Sequence, residues 1–176
     1  MVKVYKDVLS KGRTEMMEHI MLSSKKFPWY FARHNLYHEN QKHHNSDDFM
    51  FTHIFFNDGA INSEYFNLVE PIVEYIKEQY DDIESIMRIK ANLYTNQHIN
   101  FEYGEHMDQE WLGETDCLIG LFNIISCDGG TVVDGKTYPS VSNQLLLFDN
   151  VPHYGITQTD TQTRICINFN FKRAVE

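Results

Sequence analysis

The chain has 176 residues, of which 42% are hydrophobic and 14% aromatic, enough for one domain with a real core and too apolar for a disordered chain. Its formal net charge of −10 argues against a broad cationic face for a nucleic-acid backbone, so a polynucleotide partner is not expected. Cys117, Cys127 and Cys166 are odd in number and lack C-x-x-C spacing, which excludes a disulfide framework or zinc knuckle and leaves free thiols.

The longest apolar runs, such as 145–148, are far too short to span a bilayer. The opening MVKVYKDVLS alternates charged with apolar residues and presents no signal-peptide core. A cytoplasmic protein without membrane association is the expectation.

Taken in order, residues 2–5 read as a short strand and residues 10–22 as a helix, with Met16, Met17, Ile20 and Met21 at neighbouring helical positions and Ser10 placed to cap it. The aromatic run 27–31 contains Pro28 and suits an edge strand. Residues 35–48 form a polar loop. Its His38, His43 and His44, with Glu39 or Asp47, could reach a metal or a substrate, but they lack regular ligand spacing and a solvated loop is the plainer reading. Residues 50–56 are a strand by aromatic and β-branched content, ended by Asn57-Asp58-Gly59. Inside it, His53 reads as a hydrogen-bonded structural histidine.

Ser63 is a good N-cap for a helix reaching about Tyr80, with Tyr65, Val69, Ile72, Ile76 and Tyr80 at intervals of three and four. Pro71 leaves two versions open: a helix that begins near it, or a longer one that kinks there. Beyond Ile83 the helical period disappears. Strand-like runs follow at 85–94, 117–126, 143–148, 153–157 and 163–171, with Asp128-Gly129-Gly130 and Asp134-Gly135 as turn signals. Strands at this spacing without intervening helices indicate an antiparallel sandwich or barrel. The expected chain is a single domain over 1–176, mainly β with flanking helices (α+β): residues 1–82 supply supporting helices and strands, and 83–176 the barrel core.

Within that core, His106-Met107-Asp108 puts an imidazole and a carboxylate on one face if the segment is extended. A second imidazole, His153, arriving from a distant strand completes a pair of histidines and one carboxylate on one side of a metal, the facial set that leaves open positions on non-haem Fe(II). Arg164 follows in a β-run where Ile165, Ile167 and Phe169 occupy one face, so that Arg164, Cys166 and Asn168 share the other. An arginine on an inward face needs an anion.

This pattern resembles the 2-oxoglutarate and Fe(II)-dependent oxygenases, especially the prolyl-4-hydroxylase-like group and its small phage-encoded members. The resemblance runs from 88–94 to 168–171, and weaker similarity at 27–29 and 51–53 extends it to most of the chain. It implies a double-stranded β-helix, a cupin-like jelly roll. It implies Fe(II) on His106, Asp108 and His153, with 2-oxoglutarate and dioxygen as co-substrates and ascorbate as a supporting reductant. Arg164 would then pair the far carboxylate of 2-oxoglutarate, where its planar fork fits as lysine does not. Tyr94, Asn92 and Asn123 match positions that often contact the co-substrate in relatives. The alternatives are a core tyrosine for Tyr94 and a strand-pinning amide for Asn123.

The activity implied is hydroxylation of a substrate C–H bond coupled to decarboxylation of 2-oxoglutarate, giving succinate and carbon dioxide. Asp108 argues against the halogenating branch, which has a small residue there. Prolyl, amino-acid and other small-molecule substrates all remain open. Trp111 would wall the substrate entrance or pack in the core, and the loops 39–48 and 130–139 would cover the barrel mouth. Two other readings compete: a cupin-like metal protein that does not use 2-oxoglutarate, and a non-catalytic jelly-roll binding or virion module.

Overall fold

Two antiparallel sheets face one another across an apolar interior, and both helices pack on the outer face of the larger sheet. The computed structural model describes residues 1–33, 49–108 and 116–174. In chain order these form β1 (Lys3–Lys6), α1 (Lys11–Ser23), β2 (Tyr30–Arg33), β3 (Phe49–Asn57), β4 (Ala60–Ile61), α2 (Phe66–Gln79), β5 (Ile83–Thr95), β6 (Cys117–Asn123), β7 (Cys127–Val133), β8 (Lys136–Ser140), β9 (Gln144–Asp149), β10 (His153–Ile156) and β11 (Thr163–Arg173). The larger sheet runs β1-β9-β6-β11-β5-β3-β2, with β4 paired to β3; the smaller runs β10-β7-β8. This is an α+β jelly roll dominated by antiparallel sheet, and the N-terminal strands extend its larger sheet.

β11 shows how the sequence builds the two layers. Its apolar positions, Ile165, Ile167, Phe169 and Phe171, are 0% exposed and join Val69, Ile72 and Ile76 of α2 and Met17 and Met21 of α1 in one core. Period-two alternation turns Arg164, Cys166, Asn168 and Asn170 to the other face, toward the smaller sheet. Antiparallel pairing with β5 sets that row against Tyr94, Asn92, Lys90 and Arg88 respectively. Between the sheets a second apolar group, with Ile119, Leu121, Leu146, Phe148 and Val133, fills the end of the barrel that the polar row leaves.

Several elements differ from the sequence expectation for identifiable reasons. Asp128-Gly129-Gly130 is strand and not turn, because the glycines allow neighbouring backbone to close in. A Cβ on Gly130 would lie 2.6 Å from the Tyr138 carbonyl oxygen, and one on Gly129 2.8 Å from that of Ile156. The expected loop 130–139 is accordingly a β7–β8 hairpin turning at Asp134-Gly135. Ser10 holds the N-cap position of α1 but makes no side-chain cap bond. In α2 a helix beginning near Pro71 is not what forms: one longer helix starts at Phe66 and runs through Pro71 with its apolar stripe buried in the core. Ser63 forms the preceding turn, its Oγ accepting the Tyr65 N–H at 3.0 Å. The edge strand expected at 27–31 lies at Tyr30–Arg33, at the end of the larger sheet.

His53 is structural. Its Nδ1–H donates to the Pro28 carbonyl at 2.8 Å and its Nε2 meets the Ser63 hydroxyl at 2.7 Å, so the ring ties β3 to both flanking loops. Burial lowers its pKa below the ordinary 6.5 against the opposing pull of the Pro28 carbonyl. The unfolded chain therefore takes up a proton near pH 6.5 that the folded chain resists, and this contribution, complete above that pH, is lost as pH falls below it. The denaturation midpoint should fall as buffer is taken from neutral to about pH 5, and less steeply in His53→Gln. Gly130→Ala should destabilise the chain by about 1–3 kcal/mol through the backbone clash, measurable as a lower midpoint in denaturant.

Candidate metal and co-substrate site

The metal-ligand pattern is assembled by backbone pairing. The segment carrying His106 is not a regular strand; it runs beside β10 through isolated bridges, Glu102 with Ile156 and His106 with His153. The His106 N–H donates to the His153 carbonyl at 3.0 Å and the His153 N–H returns a bond of 2.9 Å. The two rings thus meet with centroids 4.4 Å apart. Asp108 completes the group, with Oδ1 3.7 Å from His106 Nε2 and Oδ2 4.0 Å from His153 Nε2. Ligand atoms of all three lie within 4.8 Å of one another.

Each imidazole is held in the tautomer a metal requires. His106 Nδ1–H donates to the Gly104 carbonyl at 3.1 Å and His153 Nδ1–H to that of Val151 at 2.8 Å, leaving both Nε2 lone pairs directed at the shared space. Burial, reinforced by the adjacent His153, pulls His106 down to about 4 against the pull of Asp108, so its imidazole is neutral at physiological pH.

Asp108 is ionised for a different set of reasons. Burial works to raise its pKa, but His153, His106, Arg88 and Asn170 outweigh this and hold the carboxyl well below the usual carboxylate range. Oδ2 accepts the Nδ2–H groups of Asn168 at 2.7 Å and Asn170 at 2.8 Å. Arg88 Nη2 lies 3.6 Å from Oδ1. Asn150 brackets the backbone, accepting the Asp108 N–H at 2.9 Å and donating to its carbonyl at 2.6 Å. Sequence reasoning placed Asn168 on the inward face without giving it this task, and missed Asn150, Asn170 and Arg88. The clue available for Asn170 was its even spacing from Arg164 in a strand otherwise apolar on the opposite face.

Further along the same row, Arg164 is 1% exposed. Its Nη2–H donates to Thr131 Oγ1 on β7 at 2.8 Å, and its guanidinium carbon sits 5.3 Å from the Tyr94 ring centroid. Its Nε–H is buried without a hydrogen-bond partner. Among the described residues no carboxylate pairs with this guanidinium. A permanently charged group with an orphaned donor in such a place calls for an external anion. Burial pushes the Tyr94 phenol well above its ordinary pKa, so it faces the guanidinium as a neutral hydroxyl.

Asn92, 5% exposed, pairs across the sheet with Cys166 in the same row. Asn123 stands at the end of β6, where its Oδ1 accepts the Ser140 hydroxyl at 3.2 Å and its carbonyl accepts the Asn143 N–H at 2.9 Å. His38, His43, His44, Glu39, Asp47 and Trp111 lie outside the described residues. Lys90, which sequence reasoning passed over, faces inward opposite Asn168. Burial and then Arg88 bring its ammonium down to about 8 against the pull of Asp108, so it stays charged at neutral pH.

No family model and no curated relative matches this chain. Solved structures do. The α-ketoglutarate-dependent non-haem epimerase SnoN of nogalamycin biosynthesis aligns with a TM-score of 0.68 at 10% identity, over 98% of this chain and 77% of that one. The collagen prolyl hydroxylase of Paramecium bursaria Chlorella virus-1, in its 2-oxoglutarate complex, aligns at 0.62 and 10% identity, over 99% and 96%. A Pseudomonas putida prolyl-4-hydroxylase aligns at 0.62 and 14% identity, over 99% and 93%. The fold is therefore that of the 2-oxoglutarate/Fe(II) oxygenases, and His106, Asp108 and His153 form within it a group of two histidines and one carboxylate that could hold a metal ion.

If Asn150 positions Asp108, removing its two backbone bonds should loosen the carboxylate while leaving all three ligand side chains present. Asn150→Ala should weaken Co(II) or Mn(II) binding about 10- to 100-fold in a competitive titration. Asp108→Ala should abolish that binding.

Proposed function

We propose that this chain is a 2-oxoglutarate- and Fe(II)-dependent dioxygenase that hydroxylates a C–H bond of a small-molecule or peptide substrate. The observation that carries the reading is the inward row itself, whose Asn168 and Asn170 hold the carboxylate of a metal-ready triad at one end and whose other end is an anion-seeking buried arginine, with Tyr94 beside it and Asn92 next along the row. A metal site alone does not explain Arg164. A dicarboxylate reaching from the metal to the guanidinium does, and a cupin without 2-oxoglutarate has no use for it.

His106, Asp108 and His153 would hold Fe(II) through the two Nε2 atoms and the carboxylate. When bound, the iron, 2-oxoglutarate and dioxygen supply the oxidising power, with 2-oxoglutarate ending as succinate and carbon dioxide. The chain's own residues do the positioning. Arg164 would take the far carboxylate of 2-oxoglutarate through its unpaired Nε–H and remaining Nη donors, while Thr131 and the Tyr94 ring keep the guanidinium aimed into the barrel. Asn92 would line the co-substrate channel between them, with the neutral Tyr94 hydroxyl available as a donor. Asn168 and Asn170 occupy one oxygen of Asp108 and limit the carboxylate to a single orientation. Asn123 would act at a remove, joining β6 to the β8 side of the barrel.

On this reading the chain works as one unit, with 1–82 supporting the jelly roll of 83–176, in a reducing compartment such as the cytoplasm that suits its free thiols. Among the described residues no helix is long and apolar enough to cross a membrane.

The test is succinate formation by protein loaded anaerobically with Fe(II) and then given 2-oxoglutarate and oxygen, without added substrate. Wild type should release succinate slowly, Asp108→Ala none, and Arg164→Ala should need about a hundredfold more 2-oxoglutarate. Metal binding with no 2-oxoglutarate affinity in the wild type would return the chain to the cupin alternative.

A further inference from the structure

Two cations face the barrel cavity that neither the metal triad nor the co-substrate arginine accounts for. On β5 the inward row reads Tyr94, Asn92, Lys90, Arg88, opposite Arg164, Cys166, Asn168 and Asn170. Arg164 is 1% exposed at one end of the row, and Lys90 and Arg88, of intermediate exposure, stand at the other end, beside Asp108. Arg88 donates its Nε–H to Asn170 Oδ1 at 3.2 Å and has Nη2 3.6 Å from Asp108 Oδ1, which leaves its other donors free for a ligand. Among the described residues nothing hydrogen-bonds the Lys90 ammonium, and the carboxylate whose charge reaches it is again Asp108. One carboxylate, already shared with both histidines and both asparagines, faces both cations.

Charge balance then points to what is missing. A divalent metal, the Asp108 carboxylate, the Arg164 guanidinium and doubly charged 2-oxoglutarate cancel one another. Lys90 and Arg88 stand outside that balance, so among the described residues the loaded site would carry two cations beyond it, in a chain whose formal net charge is −10. Unmatched charge in a poorly solvated site is costly, and it favours an occupant of opposite sign over a neutral one.

We propose that the substrate is an anion whose carboxylate or phosphate group is held by Lys90 and Arg88, beside the metal ligands. The proposal rests on the oxygenase reading and narrows it: a neutral prolyl peptide or an uncharged small molecule would leave the Lys90 ammonium without a hydrogen-bond partner among the described residues and the remaining Arg88 donors unused. A second use for Lys90, holding the metal-side carboxylate of 2-oxoglutarate, makes a different prediction and is separated from the first by binding alone.

The experiment uses the full chain loaded with Zn(II), which binds without turnover, and reads affinities by calorimetry. Wild type, Lys90→Met, Lys90→Arg and Arg164→Met are titrated first with 2-oxoglutarate and then, once saturated, with inorganic phosphate and with acetate. Lys90→Met and Lys90→Arg should bind 2-oxoglutarate within about twofold of wild type, which also shows that they fold, while Arg164→Met should lose about a hundredfold. Phosphate or acetate should bind the loaded wild type and Lys90→Arg, and bind Lys90→Met at least about tenfold more weakly. The stronger of the two probes identifies the anion class. Equal anion binding by wild type and Lys90→Met, or none by wild type, would overturn the proposal. So would a loss of 2-oxoglutarate affinity in Lys90→Met as large as that in Arg164→Met. Failure of the wild type to bind 2-oxoglutarate at all would instead remove the oxygenase reading, and the charge balance with it.

Discussion

Asp108 is 6% exposed and lies between two imidazoles, and an ionised carboxylate in that setting is costly unless its oxygens are met by donors. Much of the barrel interior serves this need. Two neighbouring amides from one end of β11's polar row, a guanidinium from β5 and an asparagine after β9 converge on one residue of an irregular segment. None of these partners is near Asp108 in sequence. Their convergence depends on antiparallel pairing, in which a shift of a single residue would turn the inward row outward.

The same row couples the metal-ready carboxylate to the buried guanidinium by geometry. Arg164, Asn168 and Asn170 share one face of one strand, so the spacing from Arg164 to the two amides that hold Asp108 is fixed by strand rise and not by loop conformation. The smaller sheet contributes the remaining constraints: Thr131 holds the guanidinium, and His153 opens β10 directly opposite His106. A site distributed over two sheets in this way is precise only when both sheets are closed against each other. The apolar group around Phe148 and Val133 provides that closure.

How much of this could be read beforehand follows from the kind of signal each residue leaves. Period-two alternation in 163–171 was enough to turn Arg164 and Asn168 inward, and β-branched and aromatic runs located β3, β5, β6, β9 and β11 to within a few residues. The ligand pattern was legible because His106 and Asp108 are two positions apart in sequence and His153 is isolated in a β-run. The partners of Asp108 were not legible, since an asparagine has no sequence mark that separates a strand filler from a carboxylate donor until the register is known. Gly129 and Gly130 misled for a related reason: glycine marks a turn and a close backbone approach alike, and only the neighbouring strand decides between them. Pro71 shows tertiary packing overriding a local preference, with the buried stripe of α2 holding one helix through a residue that would normally end it.

The position of β11 in the larger sheet has a consequence for biosynthesis. Residues 163–173 are the last strand described, yet they lie in the middle of the sheet between β6 and β5, and they carry the outward core residues together with the inward polar row. Until that strand has been synthesised, β5 and β6 lack a shared neighbour and the core that buries α2 lacks Ile165, Ile167, Phe169 and Phe171. A growing chain can therefore form local hairpins such as β7–β8 but neither the core nor the metal centre. Assembly of the larger sheet therefore waits for β11, and His106 and His153 meet in their final setting only after it has paired with β5 and β6.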